Sequence, residues 1–192
     1  MDSTPALVSV SRTFSVDVET NKMFGKLAFA IGAVVLVDGV VLAEFEGRAP
    51  TPRATSPWVK ENVLPSLKDM SMTHDSVRAL EEAFWSFWMT HRTGASTVAY
   101  FGNQGGETAL FHRLIMRDYK NRWTCTPSPL HELCTLMIAC GYKNIHRYDL
   151  YAKEHGLKPT CTPQSFHHPL YDAHVAALVW DHLIKHSQRN AR

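Results

Sequence analysis

Two short stretches carry residue types able to do hydrolytic chemistry. In the first, Phe14-Ser15-Val16-Asp17-Val18-Glu19-Thr20-Asn21, two carboxylates stand two residues apart. On a strand that spacing sends Asp17 and Glu19 to one side of the sheet and Val16 and Val18 to the other. Adjacent carboxylates repel one another, and a hard divalent cation with oxygen ligands is the natural occupant between them. A solvated edge strand is the bland alternative, and Glu44 and Glu46 repeat the pattern on what reads as an exposed strand end. The second stretch, His167-His168-Pro169-Leu170-Tyr171-Asp172-Ala173, opens the last amphipathic segment of the chain. Asp172 falls in the first turn of that helix and His167 on the loop before it, so a carboxylate and an imidazole can meet at one point on a sheet. In a chain with eleven histidines this spacing is a weak motif taken alone.

The elements that must position these residues are legible from pattern. A strand over 12–18 is followed by two more, roughly 27–37 and 40–46, joined at Asp38-Gly39, a strong hairpin signal. Residues 47–57 hold three prolines and form a loop, and a short helix starts near Pro57 with Trp58, Val59 and Val63. Val77, Leu80, Phe84, Trp85, Phe87 and Trp88 recur at helical spacing over 74–91, a stripe expected to bury as core. Thr97-Val98-Ala99-Tyr100-Phe101 reads as a further buried strand, and a helix begins at about Glu107. The polar stretch 117–129 is followed by helices at about 130–140, 146–155 and from near Pro169 to about His186. This alternation predicts an α/β fold with a central mixed sheet flanked by helices, in one domain spanning 1–192, with 1–11 fraying at the start.

Composition narrows the function classes. A chain of 192 residues with 45% hydrophobic and 20% charged residues is ordinary globular protein. Net charge of +2 argues against a duplex-wrapping protein, though not against a local basic groove. Cys125, Cys134, Cys140 and Cys161 form no C-x-x-C pair, which favours free thiols over disulfides or zinc. The longest apolar run, 27–37, is too short to span a bilayer, and the expectation is a soluble, intracellular, cytoplasmic protein with no membrane partner.

Taken together, the motifs resemble those of the DEDDh branch of the 3′–5′ exonuclease superfamily, relatives of RNase T and of proofreading exonucleases with a ribonuclease-H-like fold. The family's first motif, a strand with Asp-x-Glu-Thr, is matched by Asp17-Val18-Glu19-Thr20. Its third, His-x-x-x-x-Asp, is matched by His167 to Asp172. Its middle motif has Asn followed four residues later by Asp at a helix start. Here Asn103-Gln104-Gly105-Gly106-Glu107 keeps the Asn and replaces the Asp by Glu.

The resemblance implies phosphodiester hydrolysis at the 3′ end of single-stranded RNA or DNA, releasing nucleoside 5′-monophosphates. It implies two Mg²⁺ or Mn²⁺ ions per active site, about 4 Å apart, which activate a water and stabilise the leaving oxygen. Asp17, Glu19, Glu107 and Asp172 would hold the ions, and His167 would be the general base, with His168 its competitor. Thr20, Asn21, Met23 and Phe24, with Asn103, would touch the terminal nucleotide. Two outcomes are open for Glu107: Gly105 and Gly106 let the backbone sit further back so that the longer acid lands where an Asp would, which is the favoured outcome, or Glu107 misses the second ion and the site holds one ion tightly and the other weakly. A non-catalytic nucleic-acid-binding module of the same fold is the alternative, and homodimerisation is left open. His131-Glu132 lacks the H-E-x-x-H pattern and reads as a helix-start acid. Lys22, Lys26, Arg113, Arg117, Lys120 and Arg122 are candidate phosphate contacts, with a solvated charged face as the plain alternative.

Overall fold

The computed structural model describes residues 11–22, 25, 27–100, 105–162 and 165–190, the last three by backbone alone. Its centre is a five-stranded mixed sheet of order β3-β2-β1-β4-β5. The strands are β1 (Arg12–Thr20), β2 (Ala28–Val37), β3 (Val40–Arg48), β4 (Ser96–Ala99) and β5 (Leu130–Glu132). The first three form an antiparallel meander, turning at Asp38-Gly39 as the sequence predicts. β4 and β5 run parallel to β1.

Alternation along β1 sorts the two faces. Phe14, Val16 and Val18 join Ile31, Ala33 and Val35 under helices α2 (Val77–His91) and α3 (Gly106–Arg117). The aromatic stripe of α2 does bury: Leu80, Phe84, Trp85 and Trp88 all lie in this core. Thr13, Ser15, Asp17 and Glu19 face the opposite layer, made of α5 (Leu133–Ala139), α6 (Tyr148–Glu154) and α7 (Pro169–Asn190). A short helix α1 (Pro57–Asn62), capped by the Ser56 hydroxyl, and a 3-10 turn at Leu64–Leu67 pack on Phe29 and Ala30.

Two expectations shift. The helix at 130–140 begins only at Leu133, because Leu130–Glu132 is captured as an edge strand in register with Thr97–Ala99. Long-range ladder bonds override the local helical period there. The stretch 117–129 is not wholly irregular: it holds a helical turn, α4 (Tyr119–Arg122), and a 3-10 turn at Trp123–Cys125. Arg122 fastens that segment by donating to the Leu114 carbonyl and to Glu82.

α7 is the element that closes the molecule over the polar side of β1. Ala173 and Ala177 pack on Val34 and Leu36, the Thr13 hydroxyl donates to Asp181, and His174 meets Glu44 at 2.6 Å. The approach is closest at its start. A Cβ on Gly32 would lie 2.2 Å from the backbone of Pro169 and Leu170. Gly32 pairs directly with Asp17, so the missing side chain is what lets α7 begin beside the acidic strand. Gly32→Ala must therefore push α7 off the sheet, and is expected to cost about 2–3 kcal/mol of stability, the upper range for overpacking a close contact. Urea unfolding of the two proteins measures it, and an unchanged midpoint would mean that the contact at Gly32 does not hold α7.

Candidate active site

Past the Ser15–Val98 pair the β1–β4 ladder ends, while β1 continues to Thr20. Asp17 and Glu19 sit on that overhang, at the mouth of a cavity of about 690 Å³. α3 starts against the same stretch from the other side. A Cβ on Gly106 would be 2.2 Å from Val18 Cγ2, so the glycine serves a close approach of helix to strand rather than a retreat of the backbone. That approach brings Glu107, only 7% exposed, to the cavity. The backbone N–H groups of Glu107 and Val18 favour the charged form of its carboxylate, against the larger effect of burial. From the third direction α7 delivers Asp172, whose Oδ2 accepts the His167 backbone N–H at 2.8 Å.

The four acids feel one another. Burial raises the Asp17 pKa well above the ordinary range, and the Asp172, Glu19 and Glu107 charges raise it further. Burial likewise raises Glu19 and Asp172, and lifts Glu107 to about 7. Asp17 Oδ2 and Asp172 Oδ1 are sealed from solvent without a hydrogen-bond partner. Ligand atoms of Glu19, His167 and Asp172 lie within 4.8 Å of one another. The close ligand atoms of Glu19, His167 and Asp172, with an unpartnered Asp17 oxygen on the same cavity, are a donor set that suits a hard divalent cation, so these residues fit such an ion.

The two neighbouring histidines part company. His167 has a φ of 64°, which turns its ring toward the acids, with Nδ1 3.8 Å from Glu19 Oε1. The Trp58 ring stands edge-on to it at 5.5 Å, and its carbonyl accepts the Ser66 hydroxyl at 2.7 Å. His168 is 1% exposed and points to the edge of the sheet, where Nε2 is 3.5 Å from Glu46 Oε1. Glu44 and Glu46, expected to be solvated, are thus taken up by His174 and His168.

Other expected contacts divide in the same way. Thr20 and Lys22 line the cavity. The Asn21 side chain donates to the Ala54 carbonyl at 3.0 Å, and its own carbonyl accepts the Ser56 N–H, which ties the loop before α1 to the end of β1. Met23, Phe24, Lys26 and Asn103 lie outside the described residues. Arg113 and Arg117 pair with buried Glu81, and Arg122 with Glu82, so these cations brace α2 rather than the cavity. Glu132 ends β5 just before α5, and its carboxylate accepts the Thr135 hydroxyl rather than a backbone N–H of the helix start. The described cysteines are free.

Sequence reasoning did not single out the aromatic wall of the cavity. Trp58, Tyr100, Tyr148 and Phe166 line it, with Trp58 and Phe166 still 44% and 39% exposed. These residues are scattered through the chain and share no periodicity, so no local signal could join them.

No family model matches the chain, and no curated protein matches it significantly. Among solved structures it is similar to an exonuclease X in complex with 5′ overhanging duplex DNA. The identity is 17% and the TM-score 0.55, over 92% of this chain and 93% of that one. At that identity the likeness bears on the fold alone: a mixed sheet flanked by helices, shared over nearly the whole chain.

Proposed function

We infer that the protein is a metal-dependent nuclease, a 3′–5′ exonuclease of the DEDDh kind that removes nucleoside 5′-monophosphates from a single-stranded end. The observation that carries this reading is the convergence of Asp17, Glu19, Glu107 and Asp172, with His167, on one cavity from three separate elements. Asp17, Glu19, Glu107 and Asp172 would hold two divalent cations, Mg²⁺ or Mn²⁺, which when bound lower the pKa of a coordinated water and neutralise charge at the phosphate. The polarity is an inference from the motif resemblance.

The chain's own groups then have distinct tasks. Nδ1 of His167 faces the acids and would accept the proton of the attacking water, since imidazole titrates near neutrality. The half-exposed rings of Trp58 and Phe166 at the cavity lip offer faces on which a terminal base can stack, worth about 1–3 kcal/mol per base. Lys22 supplies a cation at the same mouth. Among the described residues no helix is long and apolar enough to cross a membrane.

The founding test incubates 5′-labelled RNA and DNA single strands with the protein, with and without Mg²⁺ or Mn²⁺. Stepwise shortening that needs the metal is expected. Asp17→Ala should reduce it to background, and Glu107→Gln should cost nearly as much as Asp172→Asn while raising the metal concentration for half-maximal rate. Tight strand binding without cleavage would replace the enzyme by a non-catalytic binding module. A Glu107→Gln protein with the parent's rate and metal dependence would leave Glu107 as a helix-start acid only.

The histidines separate by size of effect. His167→Ala should lower turnover by about a hundredfold or more at saturating Mn²⁺. His168→Ala should alter stability more than turnover, because its ring is buried against Glu46. Equal losses of turnover from both would remove His167 as the base.

The acids also set a pH dependence of the metal-free fold. Glu107 has a folded pKa of about 7 against an ordinary 4.5, and burial raises Asp17, Glu19 and Asp172 in the same direction. Raised folded pKa values mean the native state holds protons that the unfolded chain releases. Stability is then fully present below about pH 4.5 and is lost as pH rises through 7. In EDTA, Tm should fall between pH 5.5 and pH 8, and should fall less for Asp17→Asn. Mn²⁺ should restore Tm most at pH 8. Parallel Tm curves for parent and variant would show that the carboxylates do not share one buried charge.

A further inference from the structure

Among the described residues, only His167 and the hairpin residue Asp38 adopt a positive φ without being glycine. At φ 64° the backbone of His167 is crowded by its own Cβ, and such a conformation persists only where the surroundings impose it. Both ends of the residue are held. Its N–H donates to Asp172 Oδ2 at 2.8 Å, and its carbonyl accepts the Ser66 hydroxyl at 2.7 Å from 101 residues away in the chain. The Trp58 and Phe166 rings stand edge-on to the imidazole at 5.5 Å and 4.8 Å.

Ser66 belongs to the 3-10 turn Leu64–Leu67, and that turn is itself anchored to the sheet. Val63 and Leu67 are buried against Phe29 and Ala30 of β2. Arg48, the last residue of β3, donates through Nη1 to the Met70 carbonyl at 3.0 Å and to the Leu67 carbonyl. The single Ser66 hydroxyl proton has two carbonyls at 2.7 Å, those of Val63 and His167. The Val63 oxygen already accepts the Ser66 N–H at 3.1 Å, so His167 is the acceptor that gains a donor from the hydroxyl. We propose that Ser66 is a positioning residue for His167: by holding its carbonyl, the hydroxyl keeps the backbone left-handed and the imidazole turned to the acids, where Nδ1 lies 3.8 Å from Glu19 Oε1. The proposal rests on the reading of His167 as the general base. Without the hydroxyl the residue can relax to an ordinary backbone conformation, which swings the ring away from Glu19. A misplacement of about 1 Å at a reacting group can cost about a hundredfold in rate. The base is thus set by a segment that carries none of the acids.

The test is a cycle of Ser66→Ala, His167→Asn and the double variant, with strand cleavage measured at saturating Mn²⁺. Asn tolerates the left-handed region and keeps the carbonyl in place while removing the imidazole. Ser66→Ala is expected to lower kcat by about tenfold with KM unchanged, since the hydroxyl is one hydrogen bond that touches no substrate. Ser66→Thr, which keeps the hydroxyl, should restore most of the rate. In the His167→Asn background Ser66→Ala should cost nothing further. An equal fold loss in both backgrounds overturns the proposal, because the serine would then act on the fold at large, and so does a Ser66→Ala protein with the parent's kcat. If His167→Asn itself keeps the parent's rate, the general-base reading fails, and that failure is told apart because it appears before any change at Ser66.

Discussion

Four carboxylates buried within reach of one another are the constraint around which this structure is arranged. Asp17 carries the cost most plainly, since desolvation and three neighbouring acids all favour its protonated form. Nothing in the hydrophobic core requires such a group, and unpaired buried charge is among the most unfavourable features a fold can contain. The remaining architecture is best understood as what holds the acids together despite their repulsion. Asp172 and Glu107 both fall in the opening turn of a helix, where the dipole and free N–H groups partly offset negative charge. Asp172 also takes the His167 backbone N–H.

Two close approaches make the gathering sterically feasible. α7 crosses β2 at Gly32, directly beside Asp17, and α3 begins at Gly106 against Val18. Any side chain at either glycine would displace a helix start, and with it one acid. α7 is then fixed along its length by groups remote from the cavity: Thr13 to Asp181, Glu44 to His174, and small alanines against Val34 and Leu36. The helix is long because it must both cover the sheet and hold its first turn in place.

The same spacing of two acids has opposite fates on β1 and β3. Asp17-x-Glu19 lies on the central strand under two helix starts, while Glu44-x-Glu46 lies on an edge strand and meets His174 of α7 and His168 just ahead of that helix. Similarly His167 and His168 are adjacent in sequence but face different ends of a sheet row. The register Asp17–Gly32–Glu46 places the acid cluster and the Glu46–His168 contact on the same side of the sheet, separated by β2. The cationic residues Arg113, Arg117 and Arg122 show the reverse displacement, reading as phosphate contacts and serving Glu81 and Glu82 on α2.

What the sequence determined by itself was local and periodic. Alternation on β1 set which face bears Asp17 and Glu19, helical spacing set the buried stripe of α2, and the order of the motifs indicated the fold. These follow from short-range geometry, so neighbours in sequence carry the signal. The capture of Leu130–Glu132 as a strand, the role of Gly32 and Gly106, and the partners of Glu44 and Glu46 were decided only by tertiary structure. Each of them depends on contacts between segments far apart in the chain, where a strand edge, a backbone crossing or a buried carboxylate acts on a residue whose own neighbours say nothing of it.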